Sequence, residues 1–395
     1  MSRVEALITP SVLRWARERV SLSIEEAAIK IGRPSEELTA WESGASRPTI
    51  PQARKATEIY KRPLAVFYLP EPPKDFETLR DFRSLPVDIR SEYSTELALI
   101  IRTAQYRQDW IRDFLFEEGV SPLAFVGSAS LEDSPQEIAK DIRNQLSLSP
   151  QEQLDCRTRY DALRLWVDRA EMAGIFIFRQ GQIDLREARG FILCDEYAPF
   201  LYINSEDALA AQLFTLAHEM AHLWLNKSGI SNLEPFHERI QDEIINIEVF
   251  CNKIASEAIL DRNIFYQELH RQDQSLPIEE QIEDLSNIFK ISEEAIARRL
   301  LDDQLISQAL YEELREKFQN RWRDLKIADR QRMKEAGGGP SYYVKKAFNN
   351  GYSFTRTIIS AFEGGALSGR DASALLNVKV NHIRRLASAA GLPFL

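Results

Sequence analysis

Residues 207–226, DALAAQLFTLAHEMAHLWLN, constrain this chain more than any other stretch. At helical spacing they are apolar on almost every side, so no face is left for water. Such a helix belongs inside a fold, with other elements packed around it. Yet His218, Glu219 and His222 sit in its middle. Two imidazoles and a carboxylate in an apolar interior are costly unless they have a partner. Residues i and i+4 share a helix face, so both imidazoles converge on one point. This is the HExxH spacing, in which two histidines hold a zinc ion and the glutamate between them is the general base. With five histidines in 395 residues, a chance match is about a half-percent event. A zinc ion there lowers the pKa of a bound water to about 7. Glu219, offset by about 100° from His218, is expected to take that water's proton, so that hydroxide attacks a carbonyl. The expected load is one Zn2+ per chain.

A catalytic zinc site of this kind needs a third protein ligand. Candidates downstream are His237, Glu238, Asp242, Glu243, Glu248 and Glu257. Residues 241–260 read as a second buried helix, built on Ile244, Ile245, Ile247, Val249, Phe250, Ile254, Ala255 and Ile259. Asp242 and Glu243 fall in its first turn, where carboxylates suit the helix dipole. Glu248 is the carboxylate placed among apolar neighbours. Cys251, Asn252 and Ala255 share its face and let two helices approach closely. Glu248 is therefore the expected ligand, with His237 the runner-up. Cys251 reads as a packed thiol.

The surroundings of the site are legible at lower detail. Residues 92–118, 135–148 and 155–173 have helical apolar spacing. Three short strands are expected at 174–179, 190–195 and 200–204, with Gly181 turning the chain between the first two. Asn204 or Ser205 is a candidate cap for the HExxH helix. A peptidase must hold an extended chain, and peptides add to sheet edges; Phe200–Asn204 is the strand expected nearest the site. Asp81 and Arg83 lie in a loop and receive no role.

The N-terminal residues read differently. Helices are expected over 10–19, 24–31, 35–42 and 50–60. Ser23 and Glu26 form a capping box, Gly32-Arg33-Pro34 makes a turn, Ser35 caps the next helix, and Gly44 ends it. Two short helices around a glycine-containing turn form a helix-turn-helix pattern, whose second helix enters the major groove. The stretch LSIEEAAIKIGRPSEELTAWESGASRPTI resembles the Xre/Cro-type DNA-binding domain over about residues 8–65. Its reading helix carries Glu36, Glu37 and Glu42 beside Ser35 and Thr39, a face that suits phosphate poorly. Arg33, Arg47, Arg54 and Lys55 are the candidate phosphate contacts. The alternative is a helical docking module without DNA contact. Pro63–Pro73, with four prolines, is the expected linker.

Charge divides the chain in the same way. The total of −10 is a net +3 over residues 1–70, −21 over 71–319 and +8 over 320–395. Overall acidity therefore does not exclude nucleic acid. Two helices around Ile291-Ser292, with Ser292 as N-cap of the second, are expected to pack on the central region. A charged helix over 311–334 is followed by the break Gly337–Pro340. Beyond it, helices at 353–361, 368–376 and 380–390 again have helix-turn-helix spacing. Lys379, Asn381, Arg384 and Arg385 offer a polar face to DNA, the alternative being an acidic protein partner. Three scattered cysteines argue for a reducing cytoplasm rather than a disulfide framework. No apolar run approaches the roughly 18 residues of a membrane span, and the start lacks the apolar core of a secretory signal.

RGFILCDEYAPFLYINSEDALAAQLFTLAHEMAHLWLNKSGISN, followed by IEVFCNKIASEAIL, resembles the ImmA/IrrE family of zinc peptidases over about residues 80–265. The resemblance implies His218, His222 and Glu248 as ligands and Glu219 as general base. It also implies cleavage of a repressor-like regulator, or an antitoxin role in a two-gene module. An Xre-type domain joined to such a peptidase is itself a family arrangement. The expected fold class is α+β and predominantly helical. Its expected parts are a helix-turn-helix domain at 1–70, a zincin-like peptidase domain with a small sheet at 71–270, a helical extension at 271–336 and a small basic helical domain at 337–395. DNA and a protein substrate or toxin are the expected partners, with a homodimer allowed and no membrane. The competing reading is an antitoxin or repressor with a non-catalytic zinc site.

Overall fold

The computed structural model describes residues 5–18, 20, 22–60, 62, 64–72, 94–227, 229–231, 242–318, 320–321 and 341–391. The chain divides into two compact units, Met1–Tyr106 and Arg107–Leu395.

The first unit holds α1 (Pro10–Glu18), α2 (Ile24–Ile31), α3 (Ser35–Ser43) and α4 (Ile50–Ile59). Their apolar faces close one core around Leu13, Leu38, Trp41, Tyr60 and Phe67. The capping box of Ser23 with Glu26 forms as expected, and Gly32 ends α2 at φ 75°, a conformation open to glycine at little cost. Pro34, not Ser35, occupies the N-cap of α3. Proline's fixed φ suits that extended position, and Ser35 becomes the first helical residue. Glu42 is 4% exposed. Its carboxylate accepts two hydrogen bonds from Arg17, at 2.7 and 2.9 Å. A charge expected to repel phosphate is thus neutralised inside the core.

The second unit is built around a four-stranded sheet and the HExxH helix. The helices before the sheet are α5 (Thr95–Glu117, which enters from the first unit), α6 (Pro135–Gln145), α7 (Pro150–Leu154) and α8 (Arg159–Met172). The strands are β1 (Phe176–Gln180), β2 (Gly190–Leu193), β3 (Phe200–Asn204) and β4 (Gly229–Ser231), in the order β1-β3-β2-β4. β3 runs parallel to β1 and antiparallel to β2, and β4 pairs antiparallel with β2. Gly181 therefore does not join neighbouring strands, because β3 inserts between β1 and β2. β4 has no counterpart in the sequence reading; three residues are too short for a period to register.

The buried helix is α9 (Leu209–Trp224), and α10 (Asp242–Ile259) lies against it. α6, α8, β2 and β3 complete its surround. Asn204 does not cap α9: it is the last residue of β3, and its amide donates to the carbonyls of Ile183 and Ala188. Ala208 holds the N-cap position. The end of α10 is clamped by the buried Arg143, which donates to the Ala258 carbonyl at 2.5 Å and to the Gln153 side chain at 3.0 Å. Gln153 in turn donates to the carbonyls of Ile259 and Phe289.

α11 (Arg262–Arg271), α12 (Ile278–Phe289) and α13 (Glu293–Asp302) follow. Ser292 caps α13 as expected. Arg159 of α8 donates to the Ile291 carbonyl and the Ser286 hydroxyl, so this pair packs on the central region. Of the expected helix 311–334, residues 311–318 are helical; most of the rest, with Asp81, Arg83 and the break 337–340, falls outside the described residues. The expected linker 63–73 instead contains a 3₁₀-helix, Leu64–Tyr68, whose Phe67 is buried in the core of the first unit.

The last four helices are α14 (Tyr342–Asn350), α15 (Tyr352–Glu363), α16 (Gly369–Leu376) and α17 (Ile383–Ala389). They share a core with the sheet. Phe354 of α15 is fully buried and meets Phe178 and Phe200 at ring distances of 5.7 and 6.0 Å. Arg107 lies over the rings of Phe178 and Phe354 and donates to the Leu375 carbonyl and the Asn350 side chain. Glu171 of α8 accepts from the backbone N–H of Ser353 in the first turn of α15. Between α14 and α15 the chain turns at Gly351, φ +81°, where a Cβ would fall 2.3 Å from the Ile177 carbonyl oxygen.

Candidate metal centre

His218, Glu219 and His222 are each at most 1% exposed. Both imidazoles turn Nε2 inward, and the two nitrogens lie 3.0 Å apart. Glu248 arrives from α10 with one oxygen 3.2 Å from His218 Nε2 and the other 3.3 Å from His222 Nε2. Among the described residues, this is the group of three ligand side chains whose donor atoms come within 4.8 Å of one another.

The donor set fits zinc. Tetrahedral ligands at about 2.1 Å from a metal stand roughly 3.4 Å from each other. The two nitrogens and the carboxylate oxygens are already near that spacing. Burial by itself would raise the Glu248 carboxyl, but the two facing imidazoles outweigh it and hold it well below its usual range. Burial pushes the His222 imidazole down, toward the neutral form that binds metal. At His218 burial acts in the same direction, but Glu248 reverses it and the net shift is upward. The side chain of Glu248 is 27% exposed, so the centre faces water on the α10 side.

The other candidate ligands are placed elsewhere. Glu257 pairs with Arg299 at 3.1 Å and accepts from Gln136. Cys251 is fully buried, and desolvation raises its thiol well above the usual value. Asp242 and Glu243 open α10, as expected. His237 and Glu238 lie outside the described residues.

Two residues have roles at the centre beyond those expected: Asn252 was expected only to share the face of Glu248, and Gly190 only to open a strand. Asn252, one turn beyond Glu248, approaches His218 and favours its charged form. His218 Nδ1 and Asn252 Oδ1 are both buried atoms, a donor and an acceptor that complement each other. Gly190 of β2 lies so close to α9 that a Cβ there would fall 2.4 Å from Thr215 Cγ2 and 3.0 Å from Glu219 Oε1. β2 is therefore a strand beside Glu219. Both edges of β3 are occupied, so Phe200–Asn204 cannot receive a peptide; among the described residues, the edge strand on the β2 side is β4.

The residues expected to meet DNA are not among the side chains of this centre. Arg33, Thr39 and Arg47 are exposed and Ser35 half-buried in the first unit, while Lys379, Asn381, Arg384 and Arg385 are exposed near and on α17. Thr39 donates its hydroxyl to the Ser35 carbonyl. Arg33 is 4.0 Å from Glu37, and Glu37 accepts from Gln52, leaving Glu36 the acidic residue of α3 without a described ion pair.

Among the described residues, no helix is long and apolar enough to cross a membrane. No curated protein matches the chain. Residues 170–301, which carry the whole constellation of His218, Glu219, His222 and Glu248, match the family model of the IrrE N-terminal-like domain, Peptidase M78, and over that third of its length the chain is similar to this metallopeptidase family.

Proposed function

We propose that this protein is a cytoplasmic zinc metallo-endopeptidase that makes a limited cut in one partner protein, a repressor-like regulator, and that its helical modules bind DNA. The convergence of three ligand side chains at 3.0–3.3 Å, with Glu219 on the helix of the two histidines, carries the reading. His218, His222 and Glu248 would hold the zinc, which supplies a Lewis acid and an activated water. The chain's own residues do the rest. Glu219, buried beside β2, accepts the proton of the attacking water and returns it to the leaving amine. The partly exposed Glu248 side is where substrate enters. An extended peptide adds to the β4 edge through backbone hydrogen bonds, which fix its register relative to Glu219.

The DNA part of the proposal assigns α3 to the major groove, as the second helix of a helix-turn-helix. Arg33, Arg47, Arg54 and Lys55 hold phosphates while Ser35 and Thr39 face bases. The burial of Glu42 against Arg17 favours this, since it removes one of three acidic groups from that face.

Purified protein should carry about one zinc per chain, and His222→Ala should lose it. Glu219→Gln should keep the metal and abolish cleavage of the protein encoded beside it. Equal metal in wild type and His222→Ala would end the site assignment. Undiminished cleavage by Glu219→Gln would remove the general-base role, and stable binding without any cut would favour the non-enzymatic antitoxin.

A further inference from the structure

The α14–α17 bundle contains an open cleft of about 570 Å³. Tyr342, Tyr343 and His382 line it, together with Ser373, Asn377 and Lys379; no carboxylate does. Tyr342 and Tyr343 meet at 5.2 Å and 84°, and Tyr343 and His382 at 5.8 Å and 90°. No pair of these rings is stacked face to face, so a flat partner can lie against them. Tyr342 is 62% exposed, although an aromatic side chain in water forgoes the burial that usually holds it. Residues 341–391 carry seven Lys or Arg and two Asp or Glu; Lys379 lines the cleft, and Arg384 and Arg385, exposed, follow His382 by two and three residues in the chain.

We propose that this cleft binds an unpaired nucleotide of a single-stranded nucleic acid. The base lies against Tyr342, Tyr343 and His382, and the adjoining phosphates sit on Lys379, Arg384 and Arg385. Reading a duplex needs a convex element that enters the major groove. α17 has seven residues, and His382, at its start, lines the cleft beside Tyr343. Aromatic rings in a concave site rimmed by cations match a splayed-out base instead. The inference deepens the nucleic-acid half of the proposed function and does not depend on the peptidase chemistry.

Full-length protein is titrated, by fluorescence anisotropy, with a labelled oligothymidylate, its abasic counterpart, a duplex and a polyglutamate peptide. Oligothymidylate should bind about tenfold more tightly than the abasic strand. Tyr342→Ala and His382→Ala should each remove most of that advantage, while duplex binding through α3 stays unchanged. Equal affinity for the abasic strand would overturn the proposal, as would full oligothymidylate binding by both variants. Polyglutamate binding that disappears in the same variants would identify an acidic protein as the occupant. Absence of duplex binding by the wild-type protein, with its oligothymidylate preference present and lost in both variants, would count against the α3 assignment alone and would support the cleft.

Discussion

Glu171 ties α8 to the first turn of α15, and its protonation should be visible in stability. One oxygen accepts from Ser353 N–H at 3.2 Å; the other is buried with no described hydrogen bond. Burial is the largest influence and, with Asp168 on the same helix, raises the carboxyl; the backbone N–H groups of Ser353 and Tyr352 and the charge of Arg179 oppose it. The result is a carboxyl pushed up from 4.5 to about 7. Between those values the folded state binds a proton that the unfolded state has released, so stability falls as pH rises. At 1.36 kcal/mol per unit this amounts to ~3 kcal/mol, and partial hydration of the joint reduces it to ~2 kcal/mol. The loss begins near pH 4.5 and is complete above 7. Urea unfolding of wild type and Glu171→Gln at pH 5, 6, 7 and 8 isolates it, because all other groups titrate alike in both proteins. Wild type should lose ~2 kcal/mol relative to the variant across the series. Parallel profiles would refute the reasoning, and with it the view that this joint is desolvated.

Two other substitutions probe the rest of the fold and the site. Asn252→Leu should weaken zinc binding roughly 10–100-fold, the usual cost of losing a group that orients a ligating histidine; competition with a chromogenic chelator measures it, and unchanged affinity would deny Asn252 an orienting role. Arg17→Met strands the Glu42 carboxylate in the core and should cost the first unit ~3–5 kcal/mol, most of it recovered in Arg17→Met/Glu42→Leu; a loss below about 1 kcal/mol would show that water reaches the pair.

The convergence of His218, His222 and Glu248 was the most legible arrangement in the chain. An HExxH in an apolar helix has few physical outcomes, because buried imidazoles need a partner and helical spacing decides where they point. Glu248 followed by the same logic, as a carboxylate on an apolar face. Helix ends marked by local chemistry were also readable: Ser23, Gly32, Gly44 and Ser292 act within a turn or two of themselves. Where a cap depended on distant strands, local reading failed. Asn204 is a good N-cap by composition, yet its amide is consumed by the loop from Ile183 to Ala188.

Charge misled for a related reason. Glu42 counted against DNA as long as it was taken to face solvent, and nothing local announces that Arg17, 25 residues earlier, encloses it. The acidic and basic segments were legible as totals, but totals do not say which charges cancel internally.

The amino-acid sequence by itself determined the buried helix, the ligand chemistry on it and the helical character of both ends, since periodicity and side-chain chemistry act over a few residues. Tertiary structure decided which strands neighbour one another, that Gly190 gives Glu219 its room, that Glu42 is neutral to the outside, and that the last four helices complete the sheet's core. Those outcomes come from contacts between residues far apart in the chain, and such contacts leave no period in the sequence.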